Sequence, residues 1–113
     1  MGRAIAVLAG MLLACEAAAV TTGTDLLGYC AGAESEATVE SGICRGYVSA
    51  VADMMTNYPF AGLKACLPFD VTTDQLVSVS SKYLRDHPGV LHLSAYTNIA
   101  AALVLAYPCQ RRR

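Results

Sequence analysis

Dense charge, long apolar runs and catalytic signatures are all scarce in this chain, and each shortage removes a class of function. Charged residues make up 15% of the 113 residues. The one basic run, Arg111-Arg112-Arg113, lacks the interleaved aromatics and extended cationic face that nucleic-acid binding uses, so it reads as a solvated tail and nucleic acid is not an expected partner. Beyond the N-terminus the longest apolar run, Ile99 to Tyr107, is about half of the roughly 20 residues a spanning helix needs, so no transmembrane helix is expected in the mature chain. There are two histidines, His87 and His92, with no HExxH, GxSxG or phosphate-cradling glycine loop beside them. Both read as helix-end residues. Asp53, Asp70, Asp74 and Asp86 are scattered, with no spacing that pairs carboxylates for general acid and base work. No catalytic residue, cofactor or metal site is therefore expected, and the chain does not read as an enzyme.

What is present begins with an export signal. Arg3 supplies a positive start, Ala4 to Ala14 an apolar stretch, and Ala17-Ala18-Ala19 a small-residue cleavage site, so residues 1–19 are expected to be removed after Ala19. Leu12-Leu13-Ala14-Cys15 offers a second reading, in which cleavage falls before Cys15 and that residue carries lipid. In either case the chain leaves the cytoplasm, and residues 20–113 form one domain with a short basic tail. So small a domain buries only a modest core and needs cross-links or a partner to supplement it.

The cysteines supply the cross-links. Cys30, Cys44, Cys66 and Cys109 remain once Cys15 is set aside, an even set in a short exported chain, and no C-x-x-C pair suggests zinc or thioredoxin-type chemistry. Two disulfides follow, each contributing on the order of 3 to 4 kcal/mol in a chain-entropy account.

Helical periodicity dominates the rest. Thr24 to Ala31 reads as a short helix capped by Thr24. From Ala37 to Tyr58, Val39, Ile43, Tyr47, Val51, Met54 and Tyr58 recur at threes and fours and define one long amphipathic helix. Gly42 and Gly46 lie inside it, each about 1 kcal/mol worse than Ala, and close approach of another backbone beside Cys44 is the expected compensation. Asn57, Pro59 and Gly62 end that helix. Thr72-Thr73-Asp74-Gln75 is a capping-box pattern, opening a helix with Leu76, Val79, Tyr83 and Leu84 on its apolar face that stops at Pro88-Gly89. A last helix, from about Leu91 to Ala106, carries Ala95, Tyr96, Ile99, Ala102, Leu103 and Ala106 and ends at Pro108. The six tyrosines and the pair Met54 and Met55 read first as core packing and second as binding surface. No strand pattern appears, so the fold class is all-α, a disulfide-stapled bundle of about four helices. The turn at His87 to Val90 makes the last two helices antiparallel neighbours, so Cys30 with Cys44 and Cys66 with Cys109 is the pairing of shortest reach.

The ordered set Cys44-Arg45-Gly46-Tyr47-Val48, Val51, Asp53, Cys66-Leu67-Pro68, Val71-Thr72, Gln75-Leu76, Tyr83-Leu84, His87-Pro88, His92, Ala95, Ala101-Ala102-Leu103 and Ala106-Tyr107-Pro108-Cys109 covers about two thirds of the chain. It resembles the Rap/Tai family of immunity proteins, small periplasmic helical proteins that neutralise cell-wall amidase effectors delivered by type VI secretion. The resemblance implies a disulfide-bonded helical fold, a periplasmic location, an amidase effector as partner and no catalytic residue. By analogy, either the acidic stretch Glu34 to Glu40 or the connection Asn57 to Lys64 would block an amidase cleft, and no motif assigns partner-binding residues to either. A second copy of the chain is a further expected partner. The rival reading is a periplasmic acid-stress chaperone, which exposes apolar surface once acid protonates its carboxylates.

Overall fold

Three threonines start three of the helices. In the computed structural model, which describes residues 20–33 and 36–109, α1 spans Gly23–Cys30, α2 Val39–Asn57, α3 Thr73–Asp86 and α4 Ala95–Ala106. The signal segment with Cys15, Glu34 and the arginine tail lie outside the described residues. No strand occurs among the described residues, and no helix there is long and apolar enough to cross a membrane. The all-α class expected from periodicity is the one observed.

Each threonine works through a reciprocal cap that satisfies backbone donors a helix start leaves open. Thr72 Oγ1 accepts from the Gln75 N–H at 3.2 Å while Gln75 Oε1 accepts from the Thr72 N–H at 2.9 Å, as the sequence pattern indicates. The other two caps use shorter partners. Thr22 pairs with Asp25, so the first helix is capped by Thr22 and not by Thr24. Thr38 pairs with Ser41 in the same way. The last helix also starts later than expected, because Pro88–Val90 forms a 3-10 turn and the Ser94 hydroxyl accepts from the Thr97 N–H to open α4 at Ala95.

All six helix pairs touch. Leu26, Cys44, Val48, Met55, Leu84, Ile99 and Leu103 are among the side chains sealed in the shared core. The inward face of α2 is not the stripe that periodicity selects. Of Val39, Ile43, Tyr47, Val51, Met54 and Tyr58 only Val51 is buried; the core face is Cys44, Val48, Val51, Ala52 and Met55. Both stripes satisfy the helical period, and the bond between Cys44 and Cys30 of α1 turns the second one inward. Met54 is accordingly surface, 48% exposed, where Met55 is core. The two glycines of α2 correct a second expectation: a Cβ at Gly42 or Gly46 would meet nothing within 4 Å, so no backbone among the described residues approaches them.

Close approach occurs instead at Gly23. The start of α1 is stitched to the segment before α4 by Gly23 N–H to Leu93 O at 2.9 Å, Thr24 N–H to Leu91 O at 3.0 Å and Ala95 N–H to Thr21 O at 2.7 Å. Asn98, buried in α4, supports that seam by donating to the carbonyls of Val90 and Ser94 at 3.0 and 3.1 Å. A Cβ on Gly23 would lie 2.8 Å from Asn98 Nδ2 and 3.0 Å from the Leu91 carbonyl oxygen, so this position requires glycine.

Candidate partner-binding surface

The connection between α2 and α3 is short on repeating structure, yet it is held at both ends and in its middle. Tyr58 N–H donates to Met54 O at 2.7 Å as α2 ends. Phe60 and Leu63 exchange backbone hydrogen bonds of 2.9 and 2.8 Å around Ala61 and Gly62, whose φ values of 48° and 76° define the tight two-residue turn that suits a twisted hairpin. Phe60 itself turns inward, its ring edge-on to Tyr96 with centroids 5.0 Å apart. Ala65 bridges to Pro108, Cys66 N–H donates to Tyr107 O at 2.8 Å, and Cys66 is bonded to Cys109 with Cα atoms 4.9 Å apart. A second turn, closed by Val71 N–H to Pro68 O at 3.1 Å, leads into the Thr72 cap of α3.

This braced connection displays apolar side chains to solvent. Tyr58 is 69% exposed, Leu63 53% and Phe69 fully exposed at 102%. Phe69 lies on the Pro68–Val71 turn, whose Pro68 and Val71 line both of two open clefts of about 370 and 380 Å³, and Phe69 itself lines the second. Asp70 lines the first, with Gln75 and Tyr107; Asp53 lines the second, with Thr56 and Thr73. Among the described residues neither carboxylate has an ion-pair partner, whereas Asp74 pairs with Arg45 across α2 and α3 and Asp86 with Lys82. The Lys82 ammonium lowers the Asp86 carboxyl below its usual range.

A second apolar area lies on α2. Val39, Ile43 and Met54 are exposed there, and Tyr47, Ala50, Val51, Met54 and Tyr96 line a shallow, almost wholly apolar depression. Burial pushes the Tyr47 phenol above its usual pKa, the Tyr96 backbone opposing the shift.

The segments named from sequence fare differently. The connection from Asn57 to Lys64 forms the first half of the braced loop. Of the acidic stretch, Glu36 and Glu40 are exposed, and Glu34 lies outside the described residues. His87 ends α3, its Nδ1–H donating to Tyr83 O at 2.8 Å while its ring stacks on Tyr83 at 4.0 Å; His92 is exposed. Among the described residues no three His, Cys, Asp or Glu side chains group as metal ligands. Tyr29, Tyr47, Tyr83, Tyr96 and Tyr107 are half-buried, and Tyr58 alone of the tyrosines is surface. Cys30 and Cys44 are bonded with Cα atoms 5.0 Å apart. Sequence reasoning missed Phe69; its one signal was a large apolar residue between Pro68 and Asp70 with no helical partner.

A surface made of a braced apolar loop is suited to binding a protein, and comparison with known proteins identifies the class. No curated protein and no solved structure matches the chain. The family profile described as Rap1a immunity proteins matches residues 22–109, from the first cap to the last cysteine. The chain belongs to the Rap1a immunity protein family, and its function is of the immunity type, exercised on a protein effector.

Proposed function

We propose that residues 20–113, freed of the signal segment, act in the periplasm and inhibit a peptidoglycan amidase effector of type VI secretion by seating the α2–α3 connection over its active-site cleft. Family membership supplies the immunity class. Two disulfides in so small a domain fit an oxidising compartment. The observation that carries the mode of inhibition is the connection itself, which holds Tyr58, Leu63 and Phe69 in solvent on a backbone pinned by the hairpin turn, the Cys66–Cys109 bond and the Thr72 cap. An ordered loop loses little conformational freedom on binding, so more of its apolar contact appears as affinity.

The test is direct. Purified peptidoglycan amidase effectors of type VI secretion are assayed on peptidoglycan with increasing amounts of residues 20–113, and each amidase is targeted to the periplasm with and without the full-length chain. Stoichiometric inhibition of one of them and rescue of growth are expected. Full activity of every amidase at a large excess of the chain overturns the proposal. One observation favours the chaperone reading, the exposed apolar face of α2; protection of many unrelated proteins at acidic pH, with no amidase inhibition, is the result that would move the function there.

A further inference from the structure

Phe69 is exposed to 102% of its reference area, an arrangement that leaves the whole ring in water in the free protein. Burying such a side chain is among the larger favourable contributions a small domain can make, so its exposure forgoes one that a domain of this size would otherwise use. The exposure is also imposed, because the backbone beneath the ring is fixed on both sides. The ring of Pro68 fixes its own φ just before Phe69, the Val71 N–H closes the turn on Pro68 O at 3.1 Å, the Cys66–Cys109 bond anchors the N-terminal side, and the Thr72–Gln75 cap anchors the C-terminal side. The Phe69 ring therefore stands exposed on the turn that divides the two clefts, itself lining the one that holds Asp53 while Asp70 lines the other, and among the described residues neither carboxylate has an ion-pair partner.

The geometry points to Phe69 as the anchor residue of the effector interface, entering an apolar pocket on the amidase whose two lips carry cationic side chains that settle into the flanking clefts. This rests on the proposed function and deepens it by naming the residue that carries affinity and the chemistry of the surface it meets. A rigid aromatic at the centre of a contact, ringed by polar groups that exclude water, is the common composition of an affinity hot spot. The unpaired carboxylates add a charge preference that steers encounter and weakens with salt.

The experiment measures binding of the amidase that residues 20–113 inhibit in the assay above to the full mature chain, Val20 to Arg113, and to three variants. Phe69→Ala removes the ring and, because the ring is not in the core, leaves the melting temperature unchanged. Leu105→Ala, at an exposed position on α4, is the control for loss of any surface apolar group. Asp53→Asn combined with Asp70→Asn removes the charge. Weakening of about 30-fold or more for Phe69→Ala, less than about 2-fold for Leu105→Ala, and a reduced association rate with a flatter salt dependence for the double variant are expected. If the wild-type chain binds the amidase and Phe69→Ala binds as tightly, or if both alanine variants weaken alike, the anchor assignment falls and the immunity reading stands. If the wild-type chain binds and inhibits none of the amidases, the proposed function falls and the anchor with it.

Discussion

Single residues decide how the N-terminus of α1 meets α4. Gly23 is the tightest point: an added methyl would press on Asn98 Nδ2 at 2.8 Å and on the Leu91 backbone at 3.0 Å, and backbone cannot move aside as a flexible side chain can. Gly23→Ala is expected to lower stability by about 1 to 3 kcal/mol through overpacking, measured by thermal or urea unfolding. An unchanged midpoint would mean that the seam relaxes freely. Asp25 acts two residues later. Its carboxylate accepts from the Thr22 N–H and the Thr22 hydroxyl, both at 2.9 Å, and these bonds hold its pKa below the reference value of 3.8. A depressed folded-state pKa contributes stability above the unfolded value and loses it as pH falls through the folded one. The Asp25 contribution is therefore intact at neutral pH and disappears only below about pH 4, and Asp25→Asn should flatten the acid limb of the unfolding profile there without changing its shape above pH 5. A melting temperature whose acid dependence is the same in Asp25→Asn and wild type would remove this role.

Helices were legible in the sequence to the extent that their ends and faces carry local signals. The α3 start could be read directly because Gln75 completes the familiar pattern, whereas Thr22 and Thr38 use Asp25 and Ser41 for the return bond, and those residues are common in loops as well. The face of α2 could not be read from period alone, since apolar residues occur on both of its sides and a covalent bond to another helix selects between them. Phe69 was illegible for a different reason: whether a loop aromatic tucks in, as Phe60 does against Tyr96, or stands out depends on contacts that exist only after folding. The α2 face has its own consequence. Val39, Ile43 and Met54 are exposed beside Gly42 and Gly46, which leave the helix surface low and unoccupied. A second copy related by a two-fold axis would set these uncharged apolar side chains over the glycine gaps, with Asp53, seven residues beyond Gly46, at the far end of the glycine side. Self-association through α2 is expected at micromolar to millimolar concentration. Sedimentation should show it for the wild type and not for Ile43→Glu or Met54→Glu, each with an unchanged melting temperature at low concentration; a wild type that stays monomeric throughout this range would sink the idea.

At the scale of the whole molecule the two disulfides divide stability from presentation. Cys30–Cys44 joins α1 to α2 inside the core, with relative exposures of 5% and 0%, while Cys66–Cys109 ties the exposed connection to the end of α4. Chain entropy alone ranks them by separation, 14 residues against 43, and gives about 3 and about 4 kcal/mol. On that basis the second bond should matter more to folding, by about 1 kcal/mol. Replacement by serine adds a term that reverses the order. A hydroxyl at position 30 or 44 would be enclosed by Leu26, Val48 and the rest of the apolar cluster, and each one left unpaired costs about 1 to 3 kcal/mol, whereas at the exposed position 66 water satisfies it. The expected order of melting temperature is therefore wild type, then Cys66→Ser with Cys109→Ser, then Cys30→Ser with Cys44→Ser. Amidase binding should follow the opposite order between the two double variants once each is measured well below its own melting point. Loss of the Cys66–Cys109 bond frees the backbone under Phe69 while leaving the bundle helical by circular dichroism, and loss of the core bond leaves the connection pinned. Melting temperatures ranked by loop length would show that burial of the hydroxyls is offset by new hydrogen bonds in the core. Equal affinity of the Cys66/Cys109 variant and the wild type would show that the hairpin turn and the Thr72 cap suffice to hold the connection in place.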